Sequence, residues 1–506
     1  MADRANKRVL LVSSAFGIVL VAMAVQQLLR DDSSDSAQNN QKIEDWDVVV
    51  VGSGSAGLSA AVHAAEVAPS ARILVLEKAA TVGGNSAKAS SGMNALDDGT
   101  DEKAMRAFVD DVKRSGGGLS DEGLVDVLVR DSGMAVDFLK KIGVPFSSHL
   151  VQLGGHSEAR THTVTTGAVG WTIVSQLKAA VEALENVDIR TQSSVEKLIV
   201  LDGEESSESS PMVKGCLYKT QDGTRVVAYA THGVILATGG FGHNFQWLSK
   251  YVTMRPITTT NGNFSTGDGI VLGEQVGAKV RYVDQVQIHP TSFIDPLAPE
   301  AETKILAPEK LRGLGGILVS QQGTRFVNEL DTRDKVAQAI LSLPGKSAYL
   351  ILDKHIEEKV GSAMKFYKGK KLIQECPGGL SELEKTLGMP QNNLVKTVTD
   401  LNAIASTQES MDLSCIWRPK IHKFNVHGDF LFAKITPSVH YTMGGLAIDT
   451  SARVLDSSNK PIKHLYAAGE VTGGVHGRNR LGGNSLLECI VFGSIAGRAA
   501  VSSTLF

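Results

Sequence analysis

Residues 47–77 read DVVVVGSGSAGLSAAVHAAEVAPSARILVLE, and this stretch decides the fold. Val48 to Val51 is a short β-branched run, the length of a buried parallel strand and too short for a helix. Gly52, Gly54 and Gly57 follow in G-x-G-x-x-G spacing. Leu58 to Ala68 then reads as an Ala-rich helix, and Ile73 to Leu76 as a second strand ended by Glu77. Gly52 permits a tight turn, Gly54 lets the main chain approach a pyrophosphate, and Gly57 lets helix and strand pack closely. The helix N-terminus offers free N–H groups to phosphates. Glu77 stands 20 residues after Gly57, where a carboxylate accepts hydrogen bonds from ribose hydroxyls. Ser53, Ala56 and Lys78 belong to the same candidate dinucleotide-binding set.

Outward from this unit, the stretches Gly83-Gly84-Asn85-Ser86 and Ser90 to Ala95, with Met93 and Asn94, are rich in small residues, as suits a loop laid against a flat ring system. Two more strand–glycine elements follow far downstream. One is 233–240, containing Ala237, Thr238 and Gly239. The other is 464–470, ending in Glu470. An FAD domain uses such elements to complete a flavin pocket, whereas a simple NAD domain has no need of them, so the dinucleotide is read as FAD. The segment 285–436, with Pro-bearing loops and several helices, interrupts that domain and reads as a cap. The expected fold is therefore α/β: a Rossmann-like FAD-binding domain (46–284 and 437–506) interrupted by an α+β capping domain (285–436). Helical spacing runs over 101–142 and 171–184, and 188–200 is strand-like. His156, Arg160 and His162 sit in a Gly/Thr-rich loop that fits a cofactor contact and a hydrogen-bonded loop equally well. Residues 202–211 read as a polar, acidic hairpin tip.

The chain of 506 residues can bury a large core, and 51 Lys+Arg against 54 Asp+Glu give no basic surface for nucleic acid. Cys216, Cys376, Cys415 and Cys489 are scattered, without the spacing of iron–sulfur, c-type haem or zinc sites, so no metal is expected. Val9 to Leu29 is apolar and long enough to span a bilayer, with Arg4, Lys7 and Arg8 before it and Asp31, Asp32 and Asp35 after it. It reads as a signal or anchor segment (1–30) followed by a linker (31–45). It directs the chain to the endoplasmic reticulum membrane or lumen, with the mitochondrion as the alternative, and is the chain's expected membrane contact.

The chemistry-bearing motifs lie in and after the cap: Gln287-Ile288-His289-Pro290-Thr291, Glu309-Lys310-Leu311-Arg312-Gly313, Thr332-Arg333-Asp334, His440-Tyr441-Thr442-Met443-Gly444-Gly445, and the run from Gly473 to Asn484. Together they supply the cationic and donor groups that a small dianion on a flavin needs. Arginine forks pair carboxylates bidentately and histidines add donors. With these motifs in this order, the sequence from about Trp46 to the C-terminus resembles the fumarate reductase/succinate dehydrogenase flavoprotein superfamily, and most closely its soluble, single-subunit fumarate reductases. The resemblance implies that Arg333 is the proton donor, relayed by Glu309 and Arg312. It implies that His289, His440, Arg480 and Thr291 hold the substrate, with His289 also in the catalytic set. Asn85, Ser86, Asp268, Glu470, Ser485 and Leu486 would complete the flavin site, the helix that begins at Ser485 being directed at the ring.

Three departures from relatives stand out. Asn85 occupies the place of a histidine that bonds covalently to FAD in membrane-bound relatives, so FAD is expected to be non-covalent. The haem domains of the bacterial flavocytochromes have no counterpart. Pro308 precedes Glu309 where those relatives have Thr. The expected reaction is reduction of fumarate to succinate, with hydride from reduced flavin and a proton from Arg333. A guanidinium is a weak acid, with a pKa above about 12, and suits this step only if the acceptor is carbanion-like and the relay restores its proton. Free reduced flavin or a flavin-reducing partner is the expected electron donor. Two alternatives differ in what they require: a reductase or oxidase of urocanate or L-aspartate needs a different clamp, and a flavin-binding scaffold without catalysis has no use for Arg333.

Overall fold

The computed structural model describes residues 42–96, 101–201, 211–407 and 423–502. The apolar run at 9–29, most of the linker, the hairpin tip at 202–210 and Cys415 lie outside the described residues. Strand β1 (Lys42–Val51) leads through the glycine turn into helix α1 (Ser55–Val67) and strand β2 (Ile73–Leu76). β1 begins at Lys42 and so takes in polar residues read above as linker. The extension comes from long-range pairing: the Arg225–Leu236 strand runs parallel to β1 from Lys42↔Val226 to Val51↔Leu236.

Among the described residues the main sheet has eight strands. Its parallel centre runs Pro461–Ala467, Arg225–Leu236, β1, β2 and Val187–Arg190. Val51 pairs with Leu76 and with Leu236, and Leu236 pairs with Ala467. Four strands therefore end at one level, and the loops that leave them open into one crevice, where a parallel α/β sheet binds its ligand. The segment 188–200 divides into two strands, Val187–Arg190 and Ser194–Leu201, each paired with a different neighbour. α1 packs along the last helix, Asn484–Ser502. A Cβ on Gly493 would lie 2.6 Å from Ala56 O and one on Gly497 2.2 Å from Ala60 O, so glycine sets the closeness of the two backbones. That last helix is, among the described residues, the one long and apolar enough to cross a membrane, and Leu487, Phe492 and Ala496 on it are buried in the core.

A second apolar core is built from residues between Phe293 and Ile435. Its antiparallel sheet orders the strands Val286–Phe293, Phe430–Thr442, Ala348–Asp353 and Ile317–Val319. The first two of these strands pass between the cores: Phe293 and Ile435 pack in the second core, Val439 in the first.

A Cβ on Gly57 would lie 1.9 Å from the Gly52 carbonyl oxygen. The Gly57→Ala substitution is expected to lower stability by about 1–3 kcal/mol and to reduce bound flavin. Denaturant midpoints and flavin content at the wild-type level would contradict this.

Candidate active site

One cavity of about 730 Å³ opens at the level where the strands end. Gly52, Ser53, Gly54, Ala56, Glu77, Lys78, Asn85, Ser86, Ala237, Thr238, Gly239, Asp268, Glu470, Ser485 and Leu486 all line it. Gly52 holds φ +103°, and a Cβ there would lie 2.4 Å from Ala237 O. Glu77 receives Ser53 Oγ (2.6 Å) and Ser53 N (3.0 Å) on one oxygen and Ala79 N (2.8 Å) on the other, which fixes it at the end of β2. Lys78 pairs with Asp268 at 2.6 Å. The Asn85 amide donates to Asn261 and Ser265 and accepts from Gly262 N.

Gly57, Met93 and Asn94 stand behind the wall. Met93 packs in the core, and Asn94 donates to Gly482 O (2.7 Å) and Asn484 Oδ1 (2.6 Å). His156, Arg160 and His162 also lie off the cavity, buried beneath it. The cavity fits FAD. α1 starts at its wall; its N-cap residue Gly54 makes no side-chain cap, and Ser55 N donates to Ser86 Oγ at 3.2 Å, which leaves the other first-turn N–H groups for phosphate. Ser90 Oγ is buried at the same wall without a partner.

The other end of the cavity carries charge. Arg333, His440 and Arg480 line it. Arg333 begins the Arg333–Leu341 helix, held by Val336 and Ile340 in the second core. Its Nε and Nη2 donate to Glu309 Oε2 at 2.8 and 2.7 Å. Gly154 N donates to Glu309 Oε1 at 2.7 Å. Arg312 Nη2 is 3.9 Å from Glu309 Oε2, and its Nη1 donates to the Glu329 carbonyl. Burial alone would raise the Glu309 carboxyl, but the charges of Arg333 and Arg312, with the bonds from Arg333 and Gly154, bring it down to about 2. His289 and His440 meet edge to face at 5.0 Å. Burial and the neighbouring guanidiniums hold both imidazoles well below their ordinary pKa. His289 Nε2 and Arg480 Nε are buried without partners. The Thr291 hydroxyl donates to Ala307 O at 2.9 Å, away from the cavity.

Two residues of this site were given no role by the sequence reading. Gln287 Oε1 accepts from both Arg333 Nη1 (2.9 Å) and Arg480 Nη2 (3.3 Å), so a neutral carbonyl bridges two like charges. Its Nε2 donates to Arg480 O and Asn479 Oδ1, which fixes the orientation of the amide. Lys88 lines the cavity, donates to Thr260 O at 2.7 Å and is lowered in pKa by burial. As a cation within the small-residue loop at 83–95, it was the available signal.

A dinucleotide cleft that runs into a cationic clamp defines a class, the FAD-dependent oxidoreductases. The family model described as an FAD binding domain matches residues 47–486. A probable fumarate reductase of Shewanella frigidimarina is 35% identical over 473 residues, 91% of this chain and 76% of the relative. Fumarate reductase 1 of Saccharomyces cerevisiae is 36% identical over 467 residues, 89% of this chain and 97% of the relative. The open conformation of a flavocytochrome c3 fumarate reductase superposes with a TM-score of 0.71 at 33% identity, covering 96% of this chain and 81% of that one. The chain belongs to the FAD-binding family of fumarate reductase flavoproteins, and FAD is its cofactor.

Burial raises the Glu470 carboxyl from 4.5 to about 7, against hydrogen bonds from Thr442. An acid raised in the folded state contributes stability that is full below about pH 4.5 and is lost as pH rises through about 7. Over that window the flavin-free protein is expected to lose about 3 kcal/mol to this group. The Glu470→Gln protein should be flatter with pH. Parallel urea-midpoint profiles for the two proteins would contradict this.

Proposed function

We propose that the protein reduces fumarate to succinate and that residues 285–436 act as a cap over the flavin. One arrangement carries the reading: a guanidinium at the cavity wall, Arg333, rests on a fully buried carboxylate, Glu309, beside the donors His289, His440 and Arg480. Fumarate resists hydride because its carboxylates are already negative. His289, His440 and Arg480 hold those carboxylates and draw charge from one of them, which makes the far alkene carbon electrophilic. Reduced FAD supplies the hydride. Arg333 then delivers a proton to the other carbon. Loss of that proton removes the charge that holds Glu309 down, so the affinity of Glu309 for a proton rises when the relay needs it. Arg312 passes a proton to Glu309 and regains one from solvent, and Arg333 is restored. Burial of all three groups keeps bulk water from competing.

The electrons come from free reduced flavin or from a flavin-reducing partner. The N-terminal apolar run makes the membrane contact and directs the chain to the endoplasmic reticulum, or else to the mitochondrion. Fumarate-dependent oxidation of reduced FMN or reduced viologen is expected with the purified protein. Arg333→Ala is expected to lower kcat by about 10²–10⁴-fold or more while yellow FAD stays bound. A FAD-loaded wild type that ignores fumarate, or that turns over urocanate or L-aspartate in its place, would sink the reading.

Asn85 carries no nucleophile for a flavin methyl group, and its amide is already engaged with Asn261, Ser265 and Gly262. Acid precipitation is therefore expected to release all the FAD into the supernatant. Flavin remaining with the precipitated protein would show a covalent link instead.

A further inference from the structure

The Glu309 carboxylate sits between two glycines that belong to neither its own helix nor the second core. A Cβ on Gly154 would lie 2.9 Å from Glu309 Oε1 and 2.9 Å from Asp331 O. A Cβ on Gly482 would lie 2.7 Å from Glu309 Oε2 and 3.1 Å from Arg333 Nη2. Any side chain at either place would displace the carboxylate from Arg333.

Both glycines rest on one buried cluster. The Gly482 carbonyl accepts from Asn94 Nδ2 at 2.7 Å and meets His156 Nε2 at 3.1 Å. Arg160, an obligate donor, reaches His156 Nδ1 at 3.1 Å, so Nε2 carries the hydrogen and donates to Gly482. Arg160 is paired with Asp111 and lies over the Phe108 ring at 4.7 Å. Asp111 also receives Ser157 N and Oγ, both at 2.8 Å. On the Gly154 side, Arg114, itself paired with Asp111, donates to Gly155 O at 3.0 Å. Gln152 Nε2 closes the turn on His156 O at 2.7 Å, and Gly155 N reaches Leu330 O at 3.0 Å. Asp111, Arg160 and His156 are all buried, yet none lines the cavity. Burial and the Arg160 charge bring the His156 imidazole down to about 4, so it is neutral at working pH.

We propose that His156, oriented by Asp111 and Arg160, is a positioning residue for proton delivery: its imidazole fixes the Gly482 loop, while Asp111 through Arg114 steadies the Gly154 turn, so that Glu309 is held against Arg333. The inference rests on the reading above, in which Glu309 and Arg333 carry the proton.

The test compares holoenzymes with His156→Leu, which removes the donor, and His156→Gln, whose amide can donate to Gly482 and accept from Arg160. With His156→Leu, kcat for fumarate is expected to fall about tenfold or more, with KM within about twofold and FAD content unchanged. The solvent deuterium isotope effect on kcat should rise as proton delivery becomes limiting, while anaerobic reduction of the bound FAD by dithionite stays at the wild-type rate. His156→Gln should recover most of kcat and the wild-type isotope effect. Should His156→Leu fail to fold, Gly154→Ala, which crowds Glu309 directly, is expected to give the same signature. A His156→Leu or Gly154→Ala enzyme with wild-type kcat overturns the inference, and so does a loss shared among kcat, KM and FAD content with an unchanged isotope effect. Arg333→Ala separates the two levels: if it stays active, the proton-delivery reading fails. If it is inactive while His156→Leu is normal, the positioning role alone fails.

Discussion

Two guanidiniums, Arg333 and Arg480, are buried within reach of one neutral oxygen, Gln287 Oε1, and the rest of the site follows from that constraint. Like charges out of water repel strongly and pay heavily for desolvation unless each finds partners. Arg333 finds Glu309. Arg480 lies with its guanidinium 4.3 Å over the Tyr441 ring and is lowered by burial and by Arg333 to about 10. What remains unmatched is positive potential at one end of a cavity, beside a histidine nitrogen and an arginine nitrogen without partners. On the proposed reading a dianion would supply the missing charge and acceptors, and substrate recognition would complete an electrostatic balance that the protein leaves open.

The fold serves this by bringing distant loops together. Because Val51, Leu76, Leu236 and Ala467 end at one level, the turns after them share a crevice, although they lie hundreds of residues apart in sequence. The last helix starts at the same crevice, with Ser485 and Leu486 on its wall, so its N-terminal dipole faces the cavity and favours negative charge there. The small residues at Gly52, Gly57, Gly493 and Gly497 are what let these backbones approach so closely.

The sequence was legible where the cause is local. Val48 to Leu76 could be read because strand, turn and helix are specified within one short unit. The strand–glycine elements ending at Gly239 and Glu470 repeat the same pattern. Legibility failed where a residue's role depends on partners far along the chain. β1 begins at Lys42 only because residues near 226 pair with it. Gln287 looks like one polar residue in a strand, and its bridging role arises from Arg333 and Arg480, 46 and 193 positions away. Met93 and Asn94 belong to a stretch of small residues that suits a flat ring, yet the Met93–Asn94 strand pairs with Thr161–His162 and turns inward. The clamp residues were named from a family likeness, whereas the glycine walls around Glu309 are visible only in three dimensions.

The Val286–Phe293 and Phe430–Thr442 strands carry His289 and His440 through the junction between the two cores, with His289 opposite Ser438. Arg333 and Glu309 instead ride on short helices whose apolar residues, Val336, Ile340 and Leu311, belong to the second core. The two halves of the site are nonetheless tied together: Gln287, on the first of these strands, bridges Arg333 and Arg480, Asn479 donates to Asp334 beside Arg333, and Gly154 N donates to Glu309. Any movement of the second core away from the first would break these bonds together, so opening of the cavity and dismantling of its charged centre would be a single event.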